Sequence, residues 1–168
     1  MKVKDLMSTN ISCITEESSV SHIAQQMQRE DVGSLPVCSQ QGQLLGMVTD
    51  RDLVLRALAR SIDDLSSLTA KDIMSLHPVS ITPYMYSHDA ALVFSSHRIR
   101  RLPVTENEKL VGMLSLGDLA SRPVCIDEAG DVLSAVSIAP GMEIGKHTSE
   151  LKSPIDIEYA VFCWKKGG

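Results

Sequence analysis

Two short segments carry the residue types that ligand chemistry needs. Gly46 to Leu53 reads GMVTDRDL and Gly112 to Leu119 reads GMLSLGDL, so a hydroxyl residue, Thr49 or Ser115, is followed three positions later by an aspartate, Asp52 or Asp118. In each, an apolar strand-like run gives way to a helical pattern at the hydroxyl residue. A helix start presents unpaired N–H groups and the positive end of a dipole, and both receive phosphate well. A carboxylate beside it can accept hydrogen bonds from both hydroxyls of a ribose. The same Ser/Thr-x-x-Asp spacing is also a capping box that does no more than begin the helix. Capping is the commoner use of it.

A second cluster is Arg98, Arg100 and Arg101, three arginines within four positions. Such charges repel one another and seek anions, although a solvated strand end is the plainer alternative. Other candidates are weaker. His88 and His97 are nine apart on one helical pattern, whereas metal ligands on one helix face recur at three or four. His22 and His77 are isolated. The chain has no G-x-x-x-x-G-K-[ST] loop and no G-x-S-x-G elbow. The acidic pairs Glu16-Glu17 and Asp63-Asp64 fall in turns without a partnered base. No nucleophile, base and oxyanion site converge, so an enzyme is the least supported class and no catalytic residue is assigned.

Composition sets the background. The 168 residues suffice for a real core, and 43% hydrophobic with 22% charged residues is ordinary for a soluble globular protein. Aromatics are 4%, so the core must be aliphatic, with eight Met as gap fillers. A net charge of -5 argues against a general affinity for nucleic acid. Cys13, Cys38, Cys125 and Cys163 form no C-x-x-C pair. Their spacing suits neither a disulfide framework nor zinc, and the expectation is free thiols in a reducing cytoplasm. No apolar stretch is long enough for a signal peptide or a membrane span.

The elements that must position these groups come in duplicate. VKDLMS at Val3 to Ser8 recurs as AKDIMS at Ala70 to Ser75, an offset of 67 that still holds at Leu35-Pro36-Val37 and Leu102-Pro103-Val104. One residue is then lost in a polar turn, QQGQ against NEK, and the offset becomes 66 through the G-h-h-[ST]-x-x-D segments, h being apolar. A gap confined to a turn is what a duplication tolerates. Each copy reads as a strand (Ile11 to Ile14; Val79 to Ile81) and an amphipathic helix. The first copy's helix carries Val20, Ile23, Ala24 and Met27, and the second's carries Ala90, Ala91 and Phe94. Two strands follow, Leu35 to Cys38 and Leu44 to Val48 against Leu102 to Thr105 and Leu110 to Leu114, then a final helix. Val54, Leu55 and Leu58 are apolar on the first of these final helices.

The fold class is therefore α/β (α+β), a tandem β-α-β-β-α arrangement. Neither copy covers its own sheet, and pseudo-twofold packing of the two is the default. The expected boundaries are repeat 1 over 3–60, a linker over 61–69, repeat 2 over 70–122 and an extension of unknown role over 123–168. In the extension, Asp127 to Ile138 reads as a helix weakened by Gly130. Ile155, Ile157, Tyr159 and Val161 alternate as in a strand.

The ordered combination of KD-h-M, an LPV strand and G-h-h-[ST]-x-x-D, repeated once over about residues 3–122, resembles the CBS domain pair, in particular small stand-alone bacterial proteins of that kind. The resemblance implies a disc-like module whose clefts between repeats take adenine nucleotides or related adenosyl ligands. It implies that Asp52 and Asp118 hold ribose rings and that Thr49 and Ser115 meet ribose or phosphate. Arg100 and Arg101 match basic positions that line the phosphate region. The base is expected against backbone at Ile11-Ser12 and Pro78-Val79, with Asp52 paired to Pro78-Val79 and Asp118 to Ile11-Ser12. Only the second copy has the arginine pair, since Gly33-Ser34 stand at those positions in the first. A ligand's anionic end is expected near Arg100 and Arg101, with Arg51 as an addition.

The leading functional expectation is a regulatory, ligand-sensing module for AMP, ADP, ATP or S-adenosylmethionine. It needs no obligatory cofactor and no metal. It is expected in the cytoplasm as a homodimer, its output read by another protein, with no membrane or nucleic-acid partner. The alternative is a structural dimerisation or scaffold pair with empty clefts.

Overall fold

The computed structural model describes residues 1–60 and 65–138. In the first repeat, helix α1 (Val20–Glu30) begins at Ser19, whose hydroxyl accepts from His22 N at 3.2 Å, and ends at Asp31 in the left-handed conformation. Strands β1 (Ser34–Cys38) and β2 (Leu44–Thr49) form an antiparallel hairpin. Helix α2 (Asp50–Asp52) runs on through a π-helical stretch, Leu53–Ala57.

The second repeat opens with α3 (Ala70–Ile73) and the two-residue β3 (Ser75–Leu76). Helix α4 (Ser87–His97) follows and ends at left-handed Arg98, the counterpart of Asp31. Strands β4 (Arg101–Glu106) and β5 (Lys109–Ser115) make the second hairpin, turning through Asn107 and Glu108, both with positive φ. That is the signature of a two-residue hairpin loop whose twist suits the flanking strands. Helix α5 (Leu116–Ala120) closes the repeat, and α6 (Ile126–Ser137) packs on α4 and α5. The helix expected at Asp127 to Ile138 is thus present. The strand expected at Ile155 to Val161 lies outside the described residues.

Two expectations need adjusting. On α1, Val20, Ile23 and Met27 are buried as expected, but Ala24 is exposed and Gln26 is buried instead. The first strand of each repeat shrinks to a single parallel bridge, Ile14 to Val37 and Ile81 to Val104. Proline explains the shrinkage. Ile14 N donates to Pro36 O at 3.0 Å and Cys38 N to Ile14 O at 2.8 Å. The next rung toward the N-terminus needs an N–H from Pro36 to the Ser12 carbonyl, and proline has none. In the second repeat Pro103 removes the same rung to Val79.

The repeats are joined by exchange. Val3 and Leu6 pack with Phe94, Leu102 and Leu114 of the second repeat. Ala70, Ile73 and Met74 pack with Ile23, Leu35 and Val48 of the first. The starting segments also add to the opposite hairpin, Ser8 bridging Met113 and Ser75 pairing with Met47. Gln43 bridges Lys109, its own counterpart in the duplication, which puts the pseudo-twofold axis between them. Each core therefore lacks part of its lining without the other repeat.

Glycine makes the crossings close. A Cβ at Gly46 would lie 2.8 Å from both Met74 Sδ and the Ser75 carbonyl oxygen. At Gly112 it would collide with Met7, the counterpart of Met74. The glycine that opens each G-h-h-[ST]-x-x-D segment is thus where the other repeat's start passes over.

Candidate functional site

At the β5–α5 junction, Ser115 ends the strand with extended φ and ψ and caps the helix. Its hydroxyl accepts from Asp118 N at 3.1 Å, and Asp118 Oδ2 accepts from Ser115 N and from Ser115 Oγ, both at 2.7 Å. The β2–α2 junction repeats this. Thr49 Oγ1 accepts from Asp52 N at 3.2 Å, and Asp52 Oδ2 accepts from Thr49 N and Oγ1 at 2.9 Å. Both segments are complete capping boxes, and each uses a single carboxylate oxygen.

The remaining oxygens differ. Asp52 Oδ1 pairs with Arg56 Nε at 3.4 Å. Arg56 Nη1 in turn donates to the Ile73 and Met74 carbonyls at 2.9 and 3.1 Å, fastening α2 to the crossing segment. Asp118 Oδ1 has no partner among the described residues. Most first-turn amides are also committed to protein acceptors, including Asp50 N to Gly33 O and Leu116 N to Arg100 O, both at 3.0 Å. Phosphate therefore finds little free backbone at these helix starts, and the arginines are the better anion partners.

Two cavities flank the junctions. One, of about 300 Å³, is lined by Ile11, Ser12, Ser115, Asp118 and Arg101, and also by Ser34 and Glu30. The other, of about 310 Å³, is lined by Thr49, Pro78, Val79, Arg100 and Arg101, again with Ser34. The structure thus brings Asp118 together with Ile11-Ser12, and Thr49 with Pro78-Val79. Asp52 does not line the second cavity but stands behind Thr49. Arg51 is exposed and lines neither cavity. Arg98 is absorbed as the cap of α4.

Arg101 belongs to both cavities, and so does its counterpart in the duplication, Ser34. A Cβ at Gly33 would lie 3.0 Å from Asp50 Oδ2 and 3.4 Å from Arg101 Nη1, so the guanidinium crosses at the first repeat's bare glycine, beside a carboxylate. The Ser34 hydroxyl is buried without a hydrogen-bond partner, a state that native proteins resolve with a ligand or ordered water.

Ser12 and Val79, half-buried, are the positions whose strand rungs the prolines remove. Neither has a backbone hydrogen bond among the described residues. Their backbone groups therefore remain available to a flat heterocycle with donors and acceptors on its edge. Sequence reasoning missed Ser34, Glu30 and the Asp52–Arg56 tie. The first two carry no spacing signal, and the third was legible only as an i,i+4 pair on a helix.

Among the described residues, no three His, Cys, Asp or Glu side chains gather as metal ligands, and no helix is long and apolar enough to cross a membrane. His97 Nδ1 meets Ser96 Oγ and the Val93 carbonyl, both at 3.1 Å and both local.

Known proteins with this arrangement agree on the family. The chain is 37% identical over 135 residues to the CBS domain-containing protein YhcV of Bacillus subtilis, covering 80% of this chain and 94% of that one. It is similar to the crystal structure of Hypoxic Response Protein I with two coordinated zinc ions (TM-score 0.67, 30% identity, 73% of this chain and 98% of that chain). It is also similar to the crystal structure of CBSX2 in complex with AMP (TM-score 0.65, 26% identity, 75% and 98%). The CBS domain family model matches twice, at residues 3–58 and 70–124. With its crossed repeats, duplicated junctions and both matches, the chain belongs to the CBS domain family as a tandem pair.

Proposed function

We propose that the cavity beside Asp118 binds an adenosyl nucleotide and that occupancy regulates a partner by altering how the two repeats pack. The observation that carries this reading is a set of unsatisfied groups converging on one cavity. Asp118 Oδ1 is free for a ribose diol, the Ser12 backbone is unclaimed by the sheet, and the Ser34 hydroxyl lacks a partner. Arg101 supplies the positive charge, offset by the Asp50 carboxylate beside it and by Glu30 in the cavity lining, so few phosphates are accommodated. AMP is the candidate of first choice among AMP, ADP, ATP and S-adenosylmethionine, and the AMP complex of CBSX2 supports that order. The ligand acts as a regulator and not as an obligatory cofactor, and no catalytic residue is assigned.

Because the cavity wall contributed by Ile11-Ser12 belongs to one repeat and Asp118 to the other, a ligand across them restrains the crossing. That restraint is what a protein effector reads. Val54, Leu55 and Leu58 are about half exposed, and this apolar helical face supports pairing of two copies.

Thermal unfolding tests the binding reading. A ligand of the native state raises the midpoint with the logarithm of its concentration. A rise with one of the four compounds is the expected result. No shift with any of them at millimolar level returns the module to the scaffold reading.

A further inference from the structure

Cys13 and Cys38, 25 residues apart, bring their sulfurs to 3.3 Å. Cys13 is exposed and Cys38 buried. Their counterparts in the second repeat are Ser80 and Thr105, whose hydroxyls also lie 3.3 Å apart. The duplication has therefore built one side-chain pair twice at the same place, with thiols in one copy and hydroxyls in the other. Only the thiol version can be joined covalently. A disulfide needs a sulfur separation of about 2.05 Å, so the side chains must close by little more than about an ångström. The backbone is already fixed, since Ile14 N and Cys38 N both bond across the same bridge.

The place matters because each thiol adjoins a wall of the Asp118 cavity. Cys13 follows Ile11-Ser12, and Cys38 ends the strand that supplies Leu35 and Pro36. The hydrogen bond from Cys38 lowers the Cys13 pKa to about 7, against an opposing contribution from burial. The same contact pushes Cys38 up, aided by its burial. The exposed sulfur is thus the nucleophile and the buried one the resolving thiol. Among the described residues no third ligand makes them a metal site.

We propose that Cys13 and Cys38 form a reversible redox pair that closes to a disulfide on reaction with peroxide, clamping two walls of the Asp118 cavity together. The Cys13 thiolate attacks one peroxide oxygen, the O–O bond breaks, and the departing hydroxide leaves as water. The Cys38 sulfur then attacks the Cys13 sulfenic acid, the S–S bond forms, and the S–O bond breaks to release a second water with the Cys38 proton. Two thiols lose two electrons, and hydrogen peroxide is reduced to two waters. A dithiol reverses the bond by exchange. The consequence for nucleotide affinity rests on the binding reading above, whereas the disulfide and the clamp do not.

The test uses the full chain, fully reduced and then treated with stoichiometric hydrogen peroxide. Non-reducing peptide mapping is expected to find a Cys13–Cys38 link. In Cys38→Ala, dimedone is expected to trap sulfenic acid at Cys13. Hydrogen exchange at Ile14 and Cys38 is expected to slow by roughly tenfold on oxidation, while Ile81 and Thr105 stay unchanged. A different pairing, or no link in the wild-type chain, overturns the proposal. A link without slowed exchange overturns the clamp. AMP titration of both forms then separates the two readings. Slowed exchange with no AMP binding in either form leaves the redox pair standing and removes the nucleotide.

Discussion

Arg56 Nε lies 3.4 Å from Asp52 Oδ1, while the matching oxygen of Asp118 meets no protein group among the described residues. Two junctions that are nearly identical as sequence are therefore unequal as sites. Arg56 is the cause, because it also ties α2 to the Ile73 and Met74 carbonyls. Replacing it with methionine keeps the stem and frees the oxygen. Arg56→Met is expected to lose about 1 kcal/mol of stability in urea unfolding, from the acceptors left behind. Because Asp52 does not line the Thr49 cavity, the freed oxygen is expected to add no second nucleotide-binding event in calorimetry.

At Gly46 an added Cβ meets the Ser75 carbonyl oxygen, which is backbone, whereas at Gly112 it meets only the flexible side chain of Met7. Gly46→Ala is expected to cost about 1–3 kcal/mol through overpacking, and Gly112→Ala less, because Met7 can swing aside. Because each repeat completes the other's core, both variants should still unfold in one cooperative transition. Fluorescence and circular dichroism followed together in urea will check this. Separate transitions for the two halves would contradict the shared cores.

Leu58 is 59% exposed on an apolar stretch with Val54 and Leu55. If that face pairs two copies, Leu58→Glu places a carboxylate in a dry interface and shifts the chain to monomer in analytical ultracentrifugation, with little loss of monomer stability. An unchanged mass for the variant, alongside a dimeric parent, moves the interface elsewhere.

The lowered pKa of Cys13 has a definite sign. A thiol held near 7 is protonated and slow below that pH and thiolate above it. Alkylation of Cys13 by iodoacetamide should therefore rise through a midpoint near pH 7. Cys38, pushed the other way by the same hydrogen bond, should stay unreactive across that range. Mass spectrometry of the labelled peptides reads both. Equal labelling of the two would remove the asymmetry.

Much of this organisation was legible in the sequence because duplication prints it twice. The LPV strands, the hairpins and the Thr49/Asp52 and Ser115/Asp118 junctions all stand where their spacing placed them. What stayed hidden depends on chain crossing. Nothing local tells that Val3 and Leu6 join the second repeat's core, since their pattern fits either one. The Cys13–Cys38 approach arises from a parallel bridge between segments far apart, which leaves no spacing signature. The expected strand at Ile11 to Ile14 shortened for a reason that was visible, the proline in LPV. Its effect needed the register of Ile14 on Val37 to be read. The capping and binding readings of the junctions were posed as rivals, yet each aspartate caps with one oxygen. Only the other decides between sites.

The most direct measurement is isothermal calorimetry of AMP with the wild-type chain, Asp118→Asn and Asp52→Asn. Asparagine keeps an acceptor for the cap and replaces the free Asp118 oxygen with a donor. The account predicts that wild type and Asp52→Asn bind alike and that Asp118→Asn binds at least about tenfold more weakly, the loss expected for one charged hydrogen-bond acceptor. Equal binding by Asp118→Asn, or a loss confined to Asp52→Asn, would contradict it.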